Sequence, residues 1–267
     1  MKRRTVLARG ILVCAGLIAG TSRAEPSPDA PPPHVAGAIC RPEFQTAQGN
    51  FAAGTAFVAR SRGRQKSQTV LVTAHHLFGP DGGLATQIGW KQLPGFVRSV
   101  RCAQPRREGL VFSATAPLAV PDARPQSDEG PARDVAVFRL PDAKITALEL
   151  HTGKLPLKRR VWLAAQVKAG EPPEKLLHRA TLVTADREWI EFEYDNSELD
   201  PTATSGAPVV DEKGRVIGIN IGARIEGKKL IGVAQSAAVV LNAVDSALAR
   251  AIQPSVEGDG EVHRHGR

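Results

Sequence analysis

Several features that mark common protein classes are scarce in this sequence. Its 267 residues include three cysteines and show no internal repeat. Apart from one stretch near the start, residues 10–20, it has no long apolar run. That run is too short for a comfortable membrane-spanning helix. We therefore expect a non-repetitive globular chain.

The first 24 residues have the three parts of an export signal. A basic segment, residues 2–4, precedes the apolar run, and Ser-Arg-Ala at positions 22–24 forms a small-x-small cleavage site. This order is typical of a secretory signal peptide. The alternative is a retained membrane anchor. We predict a signal peptide over residues 1–24 and a secreted or periplasmic protein.

Charge gives little support to nucleic-acid binding once the signal is set aside. The first 24 residues hold five of the 35 Lys and Arg residues and no acid, so 30 basic and 27 acidic residues remain. The basic run at 60–66 lies between two apolar segments and is typical of a solvated hairpin loop. The sequence therefore gives little support to a nucleic-acid binder, and we expect no nucleic-acid partner.

Two cysteines remain after the signal, Cys40 and Cys102. In an exported protein an even number of cysteines permits a disulfide. We predict a Cys40–Cys102 bridge, with two buried thiols as the alternative.

Short apolar segments separated by turns dominate the middle of the chain. Regular strand spacing without intervening helices predicts an all-β barrel or sandwich. One segment differs, because apolar residues three and four apart predict a helix over residues 237–252. The ends are polar: a proline-rich linker is expected at 25–35 and a disordered tail at 255–267. The predicted strands are 53–59, 69–73, 96–101, 110–113, 135–140, 161–167, 180–184, 188–194, 208–210, 216–221 and 229–233.

Three short motifs carry catalytic residue types at strand edges. Thr-Ala-His-His at 73–76 follows an apolar segment, and Asp-Val-Ala-Val at 134–137 opens another. Thr-Ser-Gly-Ala-Pro at 204–208 precedes a third, and Gly-Thr-Ala-Phe occurs at 54–57. The order is histidine, aspartate, serine.

Together these motifs resemble the trypsin-like (chymotrypsin-fold) serine peptidases, especially their compact bacterial exported members. The resemblance covers residues 36–252. It implies two six-stranded antiparallel β-barrels, an N-barrel over about 36–145 and a C-barrel over about 155–236, with a C-terminal helix closing a domain at 36–254. It also implies serine endopeptidase activity on protein or peptide substrates, with no metal or organic cofactor. The oligomeric state is left open.

The resemblance assigns the catalytic roles. Ser205 would be the nucleophile, His76 the general base and Asp134 the acid that orients the imidazole. The adjacent His75 competes for the role of base, although the family motif aligns with His76. Asp134 has a surface alternative in which Arg133 pairs with it, and Ser205 has the alternative of an ordinary turn serine.

The sequence departs from the family pattern just before the serine. The family has glycine two positions before the nucleophile, where its backbone N–H helps to form the oxyanion hole with that of the serine. Here the pair is Ala203 and Ser205, and a Cβ narrows the backbone geometry. This departure supports an alternative to the endopeptidase, in which the protein is a catalytically weak or inactive binding or adhesion module. Thr204 replaces an aspartate of the zymogen-activated members, which suggests that no such activation switch exists.

The resemblance also places the primary substrate pocket. Its floor would be Leu199 and its walls Ile221, Gly222 and Ala223, an apolar set that favours small or apolar substrate side chains. A shift of one residue would put Asp200 at the floor and reverse that preference.

Overall fold

The computed structural model describes residues 31–32, 34–61, 67–105, 111–125, 133–141 and 145–252. The predicted signal peptide, most of the proline-rich linker, most of the basic loop and the C-terminal tail lie outside the described residues. Their interpretation stays a prediction.

The first half of the chain forms one nine-stranded sheet. The strands are β1 Ile39–Thr46, β2 Gly49–Ala52, β3 Ala56–Ser61, β4 Gln68–Thr73, β5 Val97–Ala103, β6 Val111–Ala114, β7 Pro117–Leu118, β8 Ala136–Arg139 and β9 Leu148–Glu149. The sheet order is β6-β5-β1-β3-β4-β8-β7, with β2 paired to β1 and β9 parallel to β3. Short helical turns connect the strands at Val35–Ala38, His75–Phe78, Pro80–Gly82 and α1, Leu93–Phe96.

The second half forms a closed antiparallel barrel of six strands. The strands are β10 Arg160–Ala164, β11 Leu177–Ala185, β12 Trp189–Tyr194, β13 Pro208–Val210, β14 Val216–Glu226 and β15 Lys229–Ser236. Around the barrel the order is β10-β11-β12-β15-β14-β13. Closure pairs every strand on both sides and leaves no sheet edge.

The observed architecture is all-β with one long C-terminal helix, as expected. We call the nine-stranded sheet the first unit and the closed barrel the second unit. The second unit has the six strands of the expected C-barrel. The first unit has nine strands within the described residues and is not a closed ring of six there. The sequence interpretation contained neither β1 nor β2. Pro42 interrupts β1, and proline within a run is a poor strand signal.

Helix α2, Ala237–Ile252, packs where the two units meet. Its buried residues join one apolar cluster with Phe57 and Val72 from the first unit and with Trp162 and Ile219 from the second. The helix therefore joins the two units into one core. No helix among the described residues has the length and apolarity needed to cross a bilayer.

A disulfide joins Cys40 on β1 to Cys102 on β5, as the sequence predicted. The two Cα atoms are 5.4 Å apart, within the usual range for a bridge. Because β1 and β5 also pair as antiparallel strands, the bridge reinforces a contact that the sheet already makes.

Candidate active site

Two hydrogen bonds join His76 and Asp134 at the end of the first sheet. Strand β4 ends at Thr73, and the chain turns at once into the short helical segment that carries His76. The backbone N–H of His76 donates to Asp134 Oδ1 at 2.7 Å, and His76 Nδ1 lies 2.6 Å from Oδ2. A carboxylate accepts only, so Nδ1 carries the proton and Nε2 of the neutral ring is an acceptor.

The environment of His76 favours its charged form. Burial by itself lowers the pKa of this imidazole, but the hydrogen bond and the charge of Asp134 outweigh burial, and Asp81 adds to them. The net effect raises the pKa of His76 above its ordinary value. The hydrogen bond and the charge of Asp134 therefore fix the tautomer of the His76 ring and stabilise its protonated form.

The neighbouring His75 lies in a different setting. It is fully buried against Phe78, and neither of its ring nitrogens has a hydrogen-bond partner among the described residues. Burial lowers the pKa of His75 and keeps the ring neutral. Of the two histidines, the one that the structure brings to Asp134 is His76.

Ser205 occupies a tight turn before β13. The next residue, Gly206, has a φ of +84° and donates its N–H to Asn220 O at 2.8 Å. A Cβ on Gly206 would lie 2.2 Å from Thr55 O and 3.0 Å from Ala74 N, which is closer than atoms approach. Only glycine fits here, and its absent side chain lets the serine turn touch the strand ends that lead to His76.

A backbone hydrogen bond joins the Ser205 turn to the first unit. Thr55 N donates to Ser205 O at 2.8 Å. A Cβ on Gly54 would lie 2.5 Å from the same oxygen, so glycine is required there too. Ser205 is half-buried, and its hydroxyl makes no hydrogen bond to His76 within the described residues. The structure brings the serine turn beside the His76–Asp134 pair without a direct side-chain bond between them.

Ala203 takes the backbone conformation that suits glycine. Its φ is +70°, in the left-handed region, which costs a residue with a Cβ roughly 1–2 kcal/mol. Thr55 Oγ1 donates to the Ala203 carbonyl at 3.1 Å and holds it in place. Neither the N–H of Ala203 nor that of Ser205 donates to an acceptor in the described part of the chain. Two neighbouring backbone donors are therefore available beside the serine.

Thr204 lies buried where the zymogen-activated members have an aspartate. Its hydroxyl donates to Pro201 O at 2.7 Å, and the side-chain amide of Asn220 lies 3.0 Å from the same Oγ1. These uncharged contacts fix the turn without an ion pair.

The residues expected to form the substrate pocket differ in exposure. Leu199 is buried, Ile221 and Gly222 are half-buried on β14, and Ala223 is exposed. The carboxylate of Asp200 accepts hydrogen bonds from the Thr202 backbone and hydroxyl. Asp200 is thus engaged by its own loop. The assignment of Leu199 to the pocket floor stays a prediction.

Two residues important to this geometry were missed by the sequence interpretation. Thr55 lies inside the Gly-Thr-Ala-Phe motif, which offered a signal. Gln235 accepts a hydrogen bond from Asp134 at 2.8 Å across 101 positions, and no sequence pattern pointed to it. No group of three or more metal-ligating side chains occurs in the ranges described.

The paired histidine and aspartate lie on the nine-stranded sheet, and the serine turn lies on the closed barrel. This arrangement places the protein in the class of chymotrypsin-like serine peptidases. Residues 54–219 match the family of the trypsin-like peptidase domain. That match spans more than half of the chain, and the chain belongs to this family. No curated protein matches the sequence significantly.

Solved structures share the fold at low sequence identity. The thermostable serine protease AL20 from an extremophilic microorganism is 16% identical, with a TM-score of 0.52 and coverage of 81% of this chain and 99% of that one. A serine endoprotease from Yersinia pestis is 13% identical, with a TM-score of 0.53 and coverage of 82% and 65%. The active form of the Rv3671c protease from M. tuberculosis is 15% identical, with a TM-score of 0.50 and coverage of 80% and 82%. At these identities the likeness shows the fold.

Proposed function

We propose that the protein is an exported serine endopeptidase that hydrolyses peptide bonds through an acyl-enzyme. A serine hydroxyl is a poor nucleophile near neutral pH and needs a base to take its proton. In this proposal Ser205 attacks the substrate carbonyl while His76 Nε2 accepts the hydroxyl proton. His76 then returns the proton to the leaving amine, and water releases the acyl group in a second, equivalent cycle.

The observation that carries the proposal is the pair of hydrogen bonds between Asp134 and His76. With Nδ1 bonded to the carboxylate, Nε2 is the nitrogen that remains to accept a proton. The buried carboxylate, 1% exposed, then stabilises the imidazolium formed during attack.

The backbone donors of Ala203 and Ser205 are the proposed oxyanion hole. Donors oriented in advance toward the developing oxyanion are worth about 10²–10³ in rate each. The left-handed φ of Ala203 supports this role, because alanine there adopts the conformation that glycine takes readily.

Labelling with a fluorophosphonate probe tests the proposal. The wild-type protein is expected to react at one serine, Ser205→Ala to lose all labelling, and Ser197→Ala, at an exposed serine, to label like the wild type. A folded wild type that never labels would overturn the enzyme and favour the binding module. A peptide-library cleavage profile then reports whether the apolar floor at Leu199 selects small or apolar side chains.

Export is the remaining part of the proposal. It is supported by the basic, apolar and small-residue order of positions 1–24. Expression of the whole chain in a bacterial host is expected to yield an extracytoplasmic protein that begins at Glu25. An unprocessed N-terminus in the cytoplasm would contradict it.

A further inference from the structure

Asp134 is held at its backbone as well as at its carboxylate. Its N–H donates to Gln235 Oε1 at 2.8 Å, and the two residues are 1% and 0% exposed. Gln235 lies on β15 of the closed barrel, whereas Asp134 lies two residues before β8 of the first sheet. This hydrogen bond therefore crosses from one unit to the other at the candidate active site.

The same barrel strands also hold the serine turn. Gly206 N donates to Asn220 O, and Asn220 N donates to Ala207 O, each at 2.8 Å. The residue before Asn220, Ile219, is the register partner of Gln235 in the β14–β15 pair. On the neighbouring strands β14 and β15, Asn220 thus holds the serine turn and Gln235 holds the Asp134 backbone.

We propose that Gln235 is a positioning residue that sets Asp134, and through it the ring of His76, at the correct place relative to Ser205. The inference rests on the proposed function. Gln235 does not touch the reacting atoms, and it acts through Asp134.

The need for such a residue follows from how Asp134 is used. Both of its carboxylate oxygens bond to His76, so the position of the imidazole follows the position of the Asp134 backbone. The nucleophile belongs to the other unit, and a displacement of about 1 Å between reacting groups can cost about 10²-fold in rate. A direct bond between the units at Asp134 limits that displacement.

The first test compares variants by the kinetics of fluorophosphonate labelling. Gln235→Met keeps the length of the side chain and removes the amide acceptor. We expect its maximal labelling rate to fall about 10- to 100-fold, with the half-saturating probe concentration changed less than about threefold. If the methionine variant does not fold, Gln235→Asn withdraws the acceptor by one carbon and is expected to behave the same way.

Ser236→Ala is the matched control. Ser236 is the next residue on β15, is also buried, and donates its hydroxyl to Arg187 O. Its removal deletes this hydrogen bond and the one that the Val239 N–H donates to the same oxygen, without touching Asp134. The two variants should lower thermal stability comparably, while only Gln235→Met slows labelling.

A measurement that needs no reaction separates this inference from the proposed function. The His76 imidazole, titrated by NMR, should show a lower pKa in Gln235→Met than in the wild type, because burial stays while the bond to Asp134 weakens. In Ser236→Ala it should be unchanged. An unchanged titration in a folded Gln235→Met or Gln235→Asn protein overturns the positioning role, whether or not the wild type labels. A wild type that never labels removes the proposed function alone, and the titration still decides the role of Gln235.

Discussion

Ala203 stands where the family has glycine and still adopts a backbone conformation that favours glycine. The sequence suggested that a Cβ at this position would narrow the backbone choices beside the oxyanion hole. In the structure, alanine adopts the left-handed conformation instead, at φ +70°, and the Thr55 hydroxyl holds its carbonyl. The departure thus has a cost in strain while the N–H stays available.

Substitutions at Ala203 test this account. Ala203→Gly removes the Cβ strain but increases the freedom of the unfolded chain, so stability should change by less than about 1 kcal/mol and labelling by less than about threefold. Ala203→Val places a β-branched side chain in the left-handed region and should slow fluorophosphonate labelling at least about tenfold. Thermal unfolding and labelling rates measure both effects. A valine variant that labels at the wild-type rate would show that this backbone conformation is not needed.

His76 and Gln235 show what the sequence can and cannot reveal about single residues. The preference for His76 over His75 came from motif alignment, and the structure brings His76 to Asp134. Gln235 had no motif, because its partner is a backbone N–H 101 positions away. Side chains that act within a motif leave a local signal, whereas side chains that act through tertiary contacts do not.

At the scale of elements, periodicity predicted what regular burial produces. Helix α2 spans residues 237–252 as predicted, because its apolar residues recur along one face. Strand β13 also has its predicted bounds, Pro208–Val210. Both elements have apolar residues wherever they meet the core.

Strand β1 was missed for a reason that its surroundings explain. Its residues alternate imperfectly between buried and exposed positions, and Pro42 cannot donate to a neighbouring strand. The strand nevertheless pairs with three others, β2, β3 and β5, and its Cys40 is bonded to Cys102. Pairing partners and a covalent bridge here outweigh weak local propensity, and neither is visible in a short window of sequence.

At the scale of the whole molecule, the two units depend on each other. The proposed base and its acid belong to the first unit, and the serine turn belongs to the second. Besides the bonds at the site, Ser61 on β3 donates its hydroxyl to Asp245 on α2 at 2.9 Å. Because the apolar cluster around α2 contains residues of both units, we expect them to unfold together.

Truncation of one helix residue tests that dependence. Val244 is fully buried in the shared cluster, and Val244→Ala should lower the free energy of unfolding by about 2 kcal/mol through lost burial and a residual cavity. Tryptophan fluorescence, which reports Trp90 in the first unit and both Trp162 and Trp189 in the second, should then shift to one lower midpoint that coincides with that of circular dichroism. Asn242→Ala, on the exposed side of the same helix, should change stability by less than about 0.5 kcal/mol. Two separate transitions, of which Val244→Ala moves only one, would show that the units fold independently and that α2 belongs to one of them.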